Sequence, residues 1–498
     1  MPILESKAVR RGHRLILAAA AAALPGACSG GPSAGSAPQS GSTLVRTWVD
    51  PDGDGVLAPG PGEQMVARTD LGGRARGMRV LARFAQLTDA HVTDEESPAR
   101  VEMLDRLGDP FTSAFRPQEA LTTQVLAAVV RSIDAMHPDA VFETGDLIDN
   151  TQADELAQAL AVLRGGRVDP DTGAPGYAGV QDAGNADPLI YRPDVDPPRH
   201  RGLLSAAERP FVSPGLTAPW YPLPGNHDLL VQGIVRPTAR TEAVATGSRK
   251  LVTLDRAALT AARSGGGTPA VVVARLLRNG LPGRSIEVAA DAGRRELGPR
   301  KDVAALRDAS GYGGSGELMD AVAPLGSAAV AILLDTTDRR GGAVGVLRPS
   351  QIVWLAARLR AAGDRWVVVF SSTPLTATRH GQRALALLDR DPRVVAAVAG
   401  DVHRNSIAPR RTAAGGYWLV TTSSLADYPQ QARAFRLVET ADGGVALDTW
   451  MLDGDPRSRL ATISRRLAYV DYQGGRPRGL AGTRSDRNAQ LFKPPPTQ

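Results

Sequence analysis

Short apolar runs, each ending at a glycine or polar residue, alternate with stretches whose apolar positions recur three or four apart, the pattern of strands feeding helices in an α/β protein. Val80 to Leu87 predicts a strand that stops before Asp89, and Ala140 to Thr144 one that stops before Gly145 and Asp146. Between them Leu121, Val125, Val129, Ile133 and Met136 share one helical face, so a helix is expected over 117–136, ending ahead of Pro138. Further strands are expected over 330–334, 366–370, 394–399, 417–422, 434–438 and 445–450, with helices over 351–359 and 381–388. Residues 165–215 are rich in Gly, Pro and Asp, and residues 232–325 have Gly-rich joints. Both break the alternation and read as insertions that either roof a site or decorate the surface. The tail, 456–498, ends in Pro494-Pro495-Pro496 and is expected to pack on the core rather than form a domain.

Composition adds limits. The 498 residues are 43% apolar and 22% charged, enough for a large folded core. Of the net charge of +6, half comes from Lys7, Arg10, Arg11 and Arg14 against Glu5, which leaves the rest near neutral and without the clustered charge of a nucleic-acid surface. Those residues precede an apolar run from Leu15 to Leu24, too short to span a bilayer comfortably but suited to a signal peptide over 1–28. Cys28, the single cysteine, stands where a bacterial lipoprotein is cut and acylated, and 29–45 reads as a flexible tether. Pro25 departs from the usual lipidation signal, so ordinary cleavage or an uncleaved anchor stays open beside it. Arg10-Arg11 is either plain basic charge or a twin-arginine export signal. With one cysteine, no intramolecular disulfide forms.

Five polar segments carry the candidate chemistry: Asp89-Ala90-His91, Gly145-Asp146-Leu147-Ile148-Asp149-Asn150, Gly225-Asn226-His227-Asp228, Ser371-Ser372-Thr373-Pro374 and Gly400-Asp401-Val402-His403. Four directly follow an expected strand, and period-two geometry aims Asp89 and His91 at one point. Their order resembles the calcineurin-like metallophosphoesterase superfamily, which implies a four-layer α/β/β/α sandwich. By that resemblance Asp89, His91, Asp146 and His403 hold one divalent metal. Asp146 bridges to a second metal, which also takes Asn226 and two histidines; here those two positions are Ser372 and Asp401. A second site of Asp146, Asn226, Asp401 and water favours Mg²⁺ or Mn²⁺ over Zn²⁺, and His380 is a remote substitute for the missing histidine. One or two ions are therefore expected, from among Mn, Fe, Zn and Mg.

The resemblance further implies hydrolysis of a phosphoester. Metal-bound hydroxide would attack phosphorus, His227 would serve as general acid oriented by Asp149, and Arg404 would hold a substrate phosphate unless it is salt-bridged. Ser97 to Glu102, Arg116 to Leu121, Asn226 to Gly233, Asp427 to Arg433 and Asp486 to Asn488 resemble a bacterial subgroup of exported metallophosphoesterases of similar length. No chemistry is read from segments such as Arg116-Pro117-Gln118-Glu119-Ala120, which are expected to be structural. The expectation is thus an envelope phosphohydrolase, anchored by lipid or secreted. Its rival is an impaired binding or scaffold lipoprotein of the same fold, favoured by Ser372 and Asp401.

Overall fold

The computed structural model describes residues 41–496, apart from 109–110, 112–113, 258, 261–268, 279–282, 313–315 and 474–478. The expected signal peptide, Cys28 and most of the tether lie outside the described residues. Among those described, no helix is long and apolar enough to cross a membrane.

Two sheets pack face to face. In the seven-stranded sheet the order is Val66–Arg68, Ala489–Lys493, Val445–Asp453, Gln431–Thr440, Gly77–Leu87, Ala140–Thr144 and Trp220–Leu223, the last three parallel. In the six-stranded sheet it is Ala321–Leu325, Ala329–Leu334, Trp366–Ser371, Val394–Ala399, Tyr417–Thr421 and Ser406–Arg410, with antiparallel strands only at the two edges. The apolar runs at Ala329–Leu334, Trp366–Ser371 and Val394–Ala399 are continuous because both faces of these strands are buried. Along Ala329–Leu334, Ala331 and Leu333 join the cluster that contains Phe84 and Phe370, whereas Val330, Ile332 and Leu334 join that of Leu355, Leu359 and Leu385. Val368 and Phe370 alternate with Val367 and Val369 in the same way. Between the sheets Phe142 stacks on Phe370 at 4.0 Å, and Phe84 meets Phe370 edge-on at 6.1 Å.

Helix Thr122–Asp134 covers the outer face of the seven-stranded sheet, and helices Pro349–Ala361 and Gly381–Leu388 cover that of the six-stranded sheet. This is the expected α/β/β/α sandwich. Burying an alternating strand on both faces requires a layer on each side.

Outside that frame the boundaries shift. Ser42 pairs with Leu452, and Thr43 is buried with its hydroxyl donating to Asn488 Oδ1 at 2.9 Å, so the end of the expected tether is part of the fold. Ala321–Leu325, placed in the second insertion by sequence, is an edge strand of the core. The tail supplies strand Ala489–Lys493 to the seven-stranded sheet and helix Arg459–Gln473. The rest of the second insertion includes the antiparallel pair Arg249–Leu254 and Gly283–Glu287. Its Leu251, Leu254 and Leu276 share a small core with Val101, Met103 and Leu104.

Candidate metal centre

The parallel strands all deliver their C-terminal ends to one edge, where the polar segments turn away from the sheets. Among the described non-glycine residues ten have positive φ, and five of them are Asp89, His91, Asp146, Asp401 and His403. That conformation costs about 1–3 kcal/mol at each non-glycine position and persists only where surrounding contacts enforce it. Here the loop backbones enforce it: Asp89 N–H donates to Gly145 O and His91 N–H to Asp146 O, both at 2.9 Å, while Asp401 N–H donates to the Asp89 carboxylate at 3.1 Å.

Asp89, His91 and His403 converge. The two imidazoles point Nε2 at Nε2 across 3.2 Å, and His403 Nε2 lies 3.4 Å from Asp89 Oδ1. Both Nδ1 atoms are committed behind, His91 to Asp149 Oδ1 at 2.9 Å and His403 to Asp427 Oδ2. Burial would raise both carboxyls, but Arg100 and His91 hold Asp149, and Arg116 and His403 hold Asp427, well below the usual range. Ionised carboxylates only accept, so each Nδ1 carries the hydrogen and each neutral ring presents an Nε2 lone pair. Two lone pairs and a carboxylate facing inward require a cation between them. The donor set of one carboxylate and two imidazoles fits a divalent metal. Without one, a proton takes that place: although burial opposes it, Asp89 and Asp427 push His403 up to about 10. Burial pushes His91 down against the pull of Asp149, and burial with Asp146 and Asp89 pushes Asp401 well up.

The other expected residues are placed as follows. Asp146 Oδ1 accepts from His227 N–H at 2.8 Å. Gly225 is required beside it, since a Cβ there would stand 2.2 Å from that oxygen. Asn226 gives its Nδ2 to Gly233 O at 3.0 Å, leaving Oδ1 as its donor atom for a cation. Asp228, buried, accepts from Gly225 N–H and Ile148 N–H and so ties two of the site loops together. Ser372 is buried with its hydroxyl paired to Thr336 Oγ1 at 2.8 Å. His380 is exposed and lines a separate pocket of about 380 Å³ with Arg340 and Arg348, so it does not substitute for the missing ligand. Arg404 is exposed, beside Gly479 of the tail.

One expectation is corrected. Asp149 meets His227 only at 3.6 Å by its carboxylate, which is engaged by His91 and Arg100. It is the Asp149 backbone carbonyl that takes His227 Nδ1–H, at 2.7 Å. The carboxylate therefore orients His91, and the carbonyl orients His227. Sequence reading also passed over Asp427, Arg116, Arg100 and Glu119 as functional residues. They lie in three of the segments noted for resemblance, Ser97 to Glu102, Arg116 to Leu121 and Asp427 to Arg433, whose polar side chains turn out to back the histidines.

No family model matches this chain, and no curated protein does. Among solved structures it is similar to a dimetal phosphatase from Danio rerio, at 11% identity over 75% of this chain and 97% of that one, with a TM-score of 0.37. It is similar also to the sulfate thiohydrolase SoxB of Thermus thermophilus solved with glycerol, at 12% identity over 80% of this chain and 61% of that one, with a TM-score of 0.30. Likenesses this slight say nothing of the chain's substrate.

Proposed function

We propose that this protein is a metal-dependent phosphoester hydrolase of the calcineurin-like metallophosphoesterase type, exported and held at the cell envelope by a lipid on Cys28. The observation that supports it most is the pair of opposed imidazole Nε2 atoms beside Asp89, a donor set suited to a divalent cation. Asp89, His91, Asp146 and His403 would hold the first ion. Asp146, Asn226 and Asp401 offer oxygen donors alone, suited to Mg²⁺ or Mn²⁺ in a second position. A bound divalent ion supplies Lewis acidity to a phosphoryl oxygen and acidifies a water.

The chain's own groups do the rest. His227 has its Nδ1–H committed to the Asp149 carbonyl, so only Nε2 can pass a proton to the leaving oxygen. His227 is about a quarter exposed, which keeps that nitrogen within reach of a substrate. Asp149 fixes His91, and Arg404 is assigned to the substrate phosphate. The substrate is a small or envelope-derived phosphomonoester or phosphodiester.

The test is hydrolysis of bis-(p-nitrophenyl) phosphate in Mn²⁺ by protein lacking residues 1–40, beside Asp89→Asn and His227→Ala. Turnover abolished in both variants is the expected result. Mn²⁺ binding with no turnover on this or a panel of monoesters would instead favour the binding-module reading, in which Ser372, tied to Thr336, has closed the second metal position. Loss of membrane fractionation in Cys28→Ala tests the anchor.

A further inference from the structure

The two opposed histidines are held from behind by two matching sets of side chains. On one side His91 is held by Asp149, and Arg100 Nη1 takes the other carboxylate oxygen. On the other, His403 is held by Asp427, and Arg116 Nε donates to Oδ1 of that carboxylate at 2.7 Å. Glu119 joins the sets: its Oε2 accepts from Arg100 Nη2 at 2.8 Å and from Arg116 N–H at 3.1 Å. Arg100, Arg116, Glu119, Asp149 and Asp427 are each no more than 8% exposed.

We propose that Arg100 and Arg116 are positioning residues for a divalent ion at Asp89, His91 and His403, acting through Asp149 and Asp427. The assignment rests on the metal reading of the site. A carboxylate bonded at one oxygen can rotate, and it can also swing its free oxygen toward the cation. A guanidinium on that second oxygen removes both freedoms, and its planar fork does so in one geometry. Burial excludes water as a replacement. The imidazole in front is then fixed in its rotation and in the tautomer that presents Nε2. The shared Glu119 makes the two locks one unit, so that displacement on one side is felt on the other.

Mn²⁺ titration calorimetry on the full chain tests this, with Arg100→Met, Arg116→Met and Asp427→Asn beside the unaltered protein, and with folding checked by thermal unfolding in chelator. Each variant is expected to bind Mn²⁺ about 10–100-fold more weakly. Arg116→Lys should recover only part of the affinity, because an ammonium lacks the fork. Dissociation constants within about twofold of the parent in folded variants would overturn the assignment, since outer partners of this kind normally carry far more. Should the Met variants not fold, the Asp427→Asn variant, of unchanged shape, is read by the same criterion. Metal binding without phosphoester turnover would overturn the proposed function and leave this assignment standing. Turnover with unaltered affinities in the variants would do the reverse.

Discussion

His227 meets the site through one nitrogen, and a single glycine keeps that nitrogen clear. Gly233 has a φ of +67°, and a Cβ at that position would stand 2.4 Å from His227 Nε2 and 2.5 Å from Asn226 Nδ2. Gly233→Ala is therefore expected to displace the imidazole and lower kcat by about a hundredfold, in line with the effect of an ångström-scale misplacement. Steady-state rates on bis-(p-nitrophenyl) phosphate check this, and a kcat within threefold of the parent would reject the role given to His227. Asp89, His91, Asp146, Asn226, His227 and His403 were legible in the sequence because the order of their segments resembles that of the calcineurin-like metallophosphoesterase superfamily. The partner of Asp149 was not. Its carboxylate and its carbonyl serve different histidines, a distinction of a few ångströms that spacing along a chain does not carry.

Strands and helices followed the apolar pattern wherever both faces of a strand are buried. Trp220–Leu223, which delivers Asn226 and His227, was missed because Pro222 interrupts it and Pro219 and Pro224 flank it. It sits at the sheet edge, where proline is tolerated. Ala489–Lys493 was hidden in a polar tail and owes its place to pairing with Val445–Asp453. The junction of several of these elements is made by Arg433, which is fully buried and which burial pushes down to about 9. It donates to Thr422 Oγ1, Asn405 Oδ1 and Asp486 O, each at 2.9 Å, and so ties the inter-sheet core to the tail. Arg433→Met strands those acceptors without water and is expected to cost at least about 3 kcal/mol in urea unfolding. A cost below about 1 kcal/mol would mean that the tail docks independently of it.

The molecule as a whole should respond to pH and to metal in opposite senses. Burial, with repulsion from Asp94, pushes Glu96 up to about 7, and burial with repulsion from Glu96 and Asp171 pushes Glu208 up to about 8, both from an ordinary 4.5. A carboxyl raised on folding stabilises the fold while protonated. That contribution is complete below about pH 4.5 and is lost as pH rises through 7 to 8. Glu208→Gln should accordingly raise the urea midpoint at pH 9 relative to the parent and flatten its decline above pH 5; an unchanged profile would remove Glu208 from the account. Mn²⁺ should stabilise the protein by about 2.7 kcal/mol at a hundredfold excess over its Kd. Thermal unfolding against chelator should show that gain, and Asp89→Asn should lose it. From the sequence alone came the alternation of strands with helices and the residue types gathered at the strand ends, with the four layers implied by the resemblance they carry. Those follow from local periodicity and from chemistry that needs particular side chains. Only the tertiary structure decided that Ser372 is paired to Thr336, that His380 stands apart, and that Arg100, Arg116, Glu119 and Asp427 close behind the histidines. Those contacts join residues up to 311 positions apart, and partners so distant are chosen by packing and burial in three dimensions rather than by any pattern along the chain.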